Sequence, residues 1–292
     1  MTVTAPLLIE PRSHDIGGLV VRRALPHAQA RSIGPFVFFD HMGPVNFPAG
    51  QGIDVRPHPH IGLATVTYLF DGVITHRDSL GSLQDIRPGD VNWMTAGRGI
   101  VHSERTPAPE RAAGHPLHGI QTWVALPQAD EEIAPSFYHH PMSSLPTWSE
   151  DEGRVQQRLI VGTLAGRESP AKASSPMFYV ALEMQPNGLT TLGDDHAERA
   201  IYVAAGTLEV DGLELKQGQL LVLPTGGAVA LRATSEVRAM LFGGAPLDGT
   251  RHMWWNFVSS SRERIEQAKV EWSEQRIGQV PGETEFIPLP DK

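Results

Sequence analysis

Short apolar runs, separated by turns rich in glycine and proline, make up most of this chain. Asp71-Gly72 lies between two such runs, and this pair flanked by apolar residues favours a β-hairpin. Pro88-Gly89-Asp90 is a second predicted turn. The pattern indicates an all-β fold, with strands predicted over residues 19–25, 35–41, 66–70, 73–76, 91–94, 118–127, 155–161, 177–184 and 200–206.

The second half of the chain repeats the strand-and-turn pattern of the first half. Residues 200–210 followed by 215–224 resemble residues 67–74 followed by 86–93. A pattern that recurs over about one domain length indicates two similar structural units. Both halves are therefore predicted to fold as small β-barrels.

The tail of the chain has a different pattern. Ser260-Ser261-Arg262-Glu263 is a capping-box pattern, and Ile265, Ala268 and Trp272 follow at helical spacing. These residues predict one helix of about 15 residues with its apolar face on a barrel. The predicted domain ranges are 1–132 for the first barrel, 133–250 for the second barrel and 251–292 for the helix and tail.

Four potential metal ligands occur as two pairs, His58 with His60 and His102 with Glu104. One residue separates the members of each pair, so in a strand both side chains lie on one face. The segment between the pairs is long enough for a few antiparallel strands that bring them together. Three imidazoles and one carboxylate suit a divalent first-row metal, and Fe(II), Mn, Ni, Cu and Zn are all candidates. Such a set leaves one or two positions for water or substrate.

The second repeat keeps the strand pattern but not the ligand pairs. Only His196, with Glu198 two residues later, lies near the corresponding place. We therefore expect a second barrel without a metal. His115, His118, His139 and His140 are predicted to be exposed or hydrogen-bonded, and His76 with Asp78 is predicted to form a structural pair or a pair that supports the ligands.

Composition narrows the possible functions. The net charge of −9 over 292 residues argues against a nucleic-acid-binding surface, which needs clustered Lys and Arg. Cysteine is absent, so thiolate metal sites and cysteine nucleophiles are excluded. The first eleven residues lack the basic start and apolar core of a signal peptide, and no apolar run approaches membrane-spanning length. We expect a cytoplasmic protein that binds neither nucleic acid nor membranes.

The sequence resembles the pirin family of the cupin superfamily from about Gly17 through the second repeat, with the resemblance weakening after residue 130. The motifs that carry the resemblance are His58-Pro59-His60, Asp71-Gly72, His76-Arg77-Asp78-Ser79-Leu80-Gly81, Pro88-Gly89-Asp90, the run from Trp93 to Glu104 (WMTAGRGIVHSE) and Trp255-Asn256-Phe257-Val258-Ser259-Ser260.

The resemblance implies two cupin barrels, of the double-stranded β-helix or jelly-roll type, in tandem. It also implies one iron-type metal site in the first barrel, held by His58, His60, His102 and Glu104. Some pirins have quercetin 2,3-dioxygenase activity, and others act as transcriptional cofactors or bind metabolic enzymes. The favoured expectation is an Fe(II)-dependent dioxygenase that acts on a flavonol or related enol, with Glu104 as general base. The alternative is a redox-sensitive regulatory protein whose metal state controls binding of a protein partner.

One segment departs from the family pattern. Many pirins have a His-Arg-Gly-Phe-Glu-Thr pattern at the second ligand, whereas this chain has His60-Ile61-Gly62-Leu63-Ala64-Thr65. An Arg and a Glu are thus replaced by Ile61 and Ala64. The four ligands are unaffected, but we expect the surroundings of the site to be less polar, and the departure leaves the identity of the substrate open.

Overall fold

The computed structural model describes residues 4–16 and 19–290. The predicted domain limits at residues 1 and 292, and Gly17 at the start of the family resemblance, lie outside these residues. Within them the chain forms 25 β-strands and two α-helices, which confirms the all-β prediction. The helices are α1 (Ala108–Ala113) and α2 (Arg262–Ser273), and three 3-10 helices lie at Gln128–Asp130, Met142–Ser144 and Asp151–Gly153.

The strands follow one another with short connections. The first twelve are β1 (Leu7–Ile9), β2 (Arg12–Asp15), β3 (Val20–Leu25), β4 (Phe36–Phe47), β5 (Asp54–His60), β6 (Leu63–Asp71), β7 (Ile74–Asp78), β8 (Leu83–Ile86), β9 (Val91–Thr95), β10 (Ile100–Arg105), β11 (His115–Ala125) and β12 (Ser136–His140). The others are β13 (Thr147–Glu150), β14 (Val155–Leu164), β15 (Arg167–Glu168), β16 (Met177–Met184), β17 (Leu189–Leu192), β18 (Glu198–Ala205), β19 (Thr207–Val210), β20 (Leu213–Lys216), β21 (Leu220–Val222), β22 (Val229–Ala233), β23 (Val237–Gly244), β24 (His252–Trp254) and β25 (Phe257–Ser259).

The strands belong to two compact units. The N-terminal unit comprises the described residues of His14–Val21, Met42–Met142 and Leu247–Lys292. Its residues form the sheet β5-β10-β7-β8 and contribute β12, β9, β6, β11 and Met42–Phe47 of β4 to a larger second sheet. Leu69 and Leu117 from the larger sheet pack with Ile74 and Ile86 from the smaller sheet in one hydrophobic cluster. The unit is therefore a two-sheet structure with its core between the sheets.

The C-terminal unit comprises the described residues of Met1–Ser13, Arg22–His41 and Ser143–Pro246. One sheet has the order β1-β21-β18-β23-β16-β14-β13, with β15 beside β14, and the other has the order β17-β22-β19-β20. The core is an extensive cluster of buried aliphatic side chains contributed by both sheets. Each unit thus has the same two-sheet plan, in agreement with the repeat in the sequence.

The units do not follow the chain continuously. β1 pairs with β21 in antiparallel register, with Leu8 opposite Leu221. The predicted ranges 1–132 and 133–250 are contiguous, whereas this pairing places the first strand of the chain in the C-terminal unit. The physical reason is that β21 would otherwise leave its backbone N–H and C=O groups unpaired along the edge of the sheet.

Helix α2 forms where the sequence predicts a helix, although it has 12 residues rather than about 15. Ser261 caps the helix, and its hydroxyl accepts a hydrogen bond from the Arg264 amide at 3.2 Å. The predicted apolar face is confirmed, because Ile265, Ala268 and Trp272 are its buried residues. No helix in the part of the chain described here has the length and apolar character needed to cross a membrane.

Replacing the capping residue tests how much it contributes to the helix. Ser261→Ala removes the acceptor for the Arg264 amide, so we expect the free energy of unfolding to fall by about 1 kcal/mol. Chemical denaturation would measure this loss. Ser273→Ala, at the exposed C-terminal end of the same helix, is the matched control and should change stability by less than about 0.5 kcal/mol. Equal losses for both variants would contradict the capping role.

Candidate metal centre

Strand pairing brings the two predicted ligand pairs together. β5 and β10 are antiparallel neighbours, with His58 opposite His102 and His60 opposite Ile100. The pairing register shifts between His102 and Glu104, as in a β-bulge. On its other side β10 pairs with β7, which places Asp78 opposite His102 and His76 opposite Glu104. β10 therefore lies in the middle of the site, with partner strands on both sides.

Three of the four predicted residues form one tight cluster. His58, His60 and His102 each place one ring nitrogen within 4.8 Å of the others, in an arrangement that can hold a metal ion. The Nε2 atoms of His60 and His102 are 3.1 Å apart. Nitrogens bound to one first-row ion at about 2.0–2.1 Å lie roughly 3 Å from each other. The spacing of these two atoms therefore fits coordination of one ion.

The protonation of two of these rings also suits a metal. His58 Nδ1 is 2.9 Å from the carbonyl oxygen of Arg56, and His60 Nδ1 is 3.2 Å from that of Asn256. A carbonyl oxygen only accepts hydrogen bonds, so both Nδ1 atoms carry the proton and both Nε2 atoms keep a lone pair.

Burial reinforces the neutral state of the cluster. Desolvation lowers the pKa of His58, and it lowers the pKa of His60 and His102 well below the ordinary value. Neutral imidazole is the form that binds metal ions. The donor set thus fits a divalent first-row metal.

Glu104 is not part of the three-histidine cluster. Its carboxylate is buried and accepts hydrogen bonds from the Gln121 amide at 2.8 and 2.9 Å, one to each oxygen. The Thr67 hydroxyl donates a longer bond of 3.5 Å to Oε1. The structure therefore orients this carboxylate through neighbouring strands rather than through the imidazoles.

Sequence reasoning did not single out two neighbours of the site, Gln121 and Phe137. Gln121 is a polar residue within the largely apolar strand β11. This break in the apolar pattern is the sequence feature that could have identified Gln121 as a neighbour of the site. Phe137 stacks on the His76 ring, with centroids 4.2 Å apart and planes 8° apart. Nothing in the local sequence indicates that contact, because it depends on β12 pairing with β9.

Ile61, one of the two departures from the family pattern, packs against residues of helix α2 and β25. It is fully buried in a hydrophobic cluster with Val101, Phe257 and Ile265. The aliphatic residue therefore contributes to packing beneath helix α2.

Four histidines outside the cluster have partners of their own. Within the described residues no second group of three or more potential ligands comes together. The contacts are Thr106 Oγ1 to His115 Nε2 at 3.2 Å, Phe70 packed on His118, Asn92 Oδ1 to His139 Nδ1 at 2.8 Å and Thr163 O to His196 Nε2 at 2.8 Å. His140 is half-buried, and burial lowers its pKa.

The tail of the chain is attached to the strand that carries His102. Glu283 accepts hydrogen bonds from the Ser103 hydroxyl at 2.5 Å and from Arg105 at 2.6 Å. Arg105 also binds Glu285 and Asp54, at 2.7 and 3.1 Å. Burial would raise the pKa of Glu283, but the bonds from Arg105 and Ser103 outweigh it and lower that pKa.

The turn before β10 depends on glycine. Gly97 has a φ of +51° and Gly99 a φ of +154°, both in the region that favours glycine. A Cβ atom on Gly97 would lie 2.1 Å from the Ile133 carbonyl oxygen. This turn therefore accepts no side chain at Gly97 unless the backbone shifts.

A pair of glycine variants separates steric conflict from backbone strain. Gly81 also has positive φ, but a Cβ atom there would meet nothing within 4 Å. Gly81→Ala should cost about 1–2 kcal/mol through its conformation alone. Gly97→Ala should cost about 1–3 kcal/mol more, because the Ile133 carbonyl must move. Chemical denaturation would compare the two variants, and equal costs would show that the close approach is unimportant.

Comparison with known proteins places this fold and site in a class. Residues 18–124 match the pirin family, and residues 179–278 match the pirin C-terminal cupin domain. These two matches correspond to two cupin domains in tandem, as predicted. The chain belongs to the pirin family.

Individual relatives resemble the chain along nearly its whole length. A pirin-like protein of Caulobacter vibrioides is 48% identical over 290 residues, which are 98% of this chain and 99% of that protein. Mouse pirin is 28% identical over 292 residues, covering 94% of this chain and 93% of that protein. The crystal structure of a quercetin 2,3-dioxygenase from Acinetobacter baumannii has a TM-score of 0.92 and 35% identity, covering 99% of this chain and 96% of that one.

Proposed function

We propose that this protein is an iron-dependent dioxygenase of the quercetin 2,3-dioxygenase type. The observation that carries the proposal is the convergence of the buried imidazoles of His58, His60 and His102 on one position. Fe(II) suits three neutral imidazoles with open coordination positions. A bound Fe(II) would supply the Lewis acidity and redox chemistry that dioxygenation needs.

Glu104 has two proposed roles, as fourth ligand and as general base. Its place two residues after His102, on the strand in the middle of the site, supports the first role. The second role is supported by its position outside the imidazole cluster, where Gln121 orients both oxygens. A positioned carboxylate can accept the proton of a substrate hydroxyl.

The proposed substrate is a flavonol or a related aromatic enol. The similarity to a protein of known structure named quercetin 2,3-dioxygenase supports this class. Such a molecule has an acidic hydroxyl that Glu104 would deprotonate. The Trp123 ring lies edge-on to His60, with centroids 5.2 Å apart, and provides an apolar surface beside the site.

Metal analysis together with oxygen uptake on quercetin tests this proposal. We expect about one iron per chain and quercetin-dependent uptake in the unaltered protein. His102→Ala removes one of the three converging nitrogens, so both iron and uptake should be lost. His139→Ala, which changes a histidine bonded to Asn92 outside the cluster, is the matched control and should retain both.

The outcomes separate the two functions considered from the sequence. Protein that binds no metal would contradict the site. Metal bound without uptake across a panel of flavonols would contradict the dioxygenase. That result would favour the redox-sensitive regulatory role, in which capture of a protein partner depends on the oxidation state of iron.

A Glu104→Gln variant tests the carboxylate separately from the imidazoles. The three nitrogens remain but the proposed fourth ligand is lost, so we expect iron to bind more weakly, while oxygen uptake per bound iron falls by about 10²- to 10⁴-fold through loss of the base. Metal content and initial rates would be measured on the same samples. Glu110→Gln, on helix α1, is the control and should behave as the unaltered protein does. Full activity in Glu104→Gln would contradict the assignment of Glu104 as base.

A further inference from the structure

His102 is held differently from the other two clustered histidines. The Nδ1 atoms of His58 and His60 face backbone carbonyl oxygens, which only accept hydrogen bonds. His102 Nδ1 instead faces Nδ1 of the His76 ring, at 3.4 Å. An imidazole nitrogen can either donate or accept. The backbone therefore does not decide which nitrogen of His102 carries the proton.

Asp78, which contacts the other nitrogen of His76, determines which nitrogen of His102 carries the proton. His76 Nε2 lies 3.0 Å from Asp78 Oδ2. The other carboxylate oxygen, Oδ1, accepts from the backbone amides of Leu80 at 2.9 Å and Ser82 at 3.0 Å. These two amides fix the orientation of the Asp78 side chain. Oδ2 is thereby presented to His76 as an acceptor.

The proton positions then follow in order. His76 donates from Nε2 to Asp78, so a neutral His76 has its lone pair on Nδ1. That lone pair accepts a hydrogen bond from His102 Nδ1, so the proton of His102 lies on Nδ1. His102 consequently keeps a lone pair on Nε2, which lies 3.1 Å from His60 Nε2.

We propose that Asp78 and His76 are positioning residues that fix the tautomer of His102, so that its Nε2 lone pair faces the metal position. The inference rests on the metal site of the proposed function. Hydrogen bonds of this kind orient ligands and raise their basicity in metal sites. Here the partner of the ligand is itself a histidine, and its proton is set by a third residue.

Burial and packing keep this arrangement rigid. His102, His76 and Asp78 are 1%, 4% and 0% exposed, so water does not compete for their hydrogen bonds. Phe137 stacks on His76 and fixes the plane of its ring. The register of β7 against β10 places Asp78 opposite His102. The three groups are thus held by two strands of one sheet and by one aromatic contact.

An Asp78→Asn variant would exchange the protonated and unprotonated nitrogens of both His76 and His102. It would do so without changing the shape of the side chain at position 78. The Leu80 and Ser82 amides need an oxygen acceptor, so the new carboxamide must direct its oxygen to them and its NH₂ group to His76. His76 Nε2 then accepts, its Nδ1 carries the proton, and His102 Nδ1 must accept in turn. The proton of His102 moves to Nε2, where it blocks the metal position.

Two measurements on the metal-free and metal-titrated protein test the proposal. Nitrogen-15 NMR of histidine-labelled, metal-free protein reports the tautomer of each ring. We expect His76 as the Nε2–H form and His102 as the Nδ1–H form, with His102 changing to Nε2–H in Asp78→Asn. Competition between the protein and a chelator for Ni(II), used as the probe, should show about 10- to 100-fold weaker binding by the variant.

Asp85→Asn is the matched control, because Asp85 lies on β8 of the same sheet and accepts a hydrogen bond from Thr75 outside the cluster. It should change neither the His102 tautomer nor Ni(II) affinity. The proposal is overturned by Ni(II) affinity in Asp78→Asn within twofold of the unaltered protein, or by an unchanged tautomer in that variant.

The His102 tautomer in the unaltered protein tests the proposal even if Asp78→Asn fails to fold. His102 observed there as the Nε2–H tautomer would overturn the proposal, and the Nδ1–H tautomer would support it. Unaltered protein that binds no Ni(II) and no iron would instead contradict the metal site itself. The NMR spectra would then still show whether Asp78 and His76 set the proton on His102.

Discussion

The antiparallel pairing of β5 with β10 is the constraint on which the site depends. It places His58 directly opposite His102, and the alternation of side chains along β5 adds His60 on the same face. A shift of one residue in this register would turn the imidazoles to the other face of the sheet. The glycine turn before β10 and the pairing of β10 with β7 both restrict that shift.

The three imidazoles and the carboxylate of Glu104 have different surroundings within the site. The imidazoles lie together, buried and neutral, with their outer nitrogens engaged by neighbours. The carboxylate of Glu104 is not one of the three clustered groups, and it accepts hydrogen bonds from Gln121 of another strand. A carboxylate that a neighbouring strand orients is positioned for proton transfer, which agrees with the chemistry proposed for it.

Local patterns in the sequence were sufficient for the fold class, for nine of the 25 strands of the described residues, for helix α2 and for the histidine cluster. Spacings of two in His58-Pro59-His60 and 3.6 in helix α2 have direct geometric meanings, so they could be interpreted without a structure. The partners of the site could not be predicted in the same way. Gln121, Phe137 and the edge pairing of β1 with β21 depend on contacts between residues far apart in the chain, for which periodicity carries no information.

The attachment of the tail to β10 has a practical consequence. Ser103 lies between His102 and Glu104, and its hydroxyl is bonded to Glu283, near the end of the chain. A truncation that removed Glu283 would leave Arg105 and Ser103 without this partner on the central strand of the site. Shortened versions of the protein should therefore keep Glu283, because its loss removes two hydrogen bonds from the strand that carries His102.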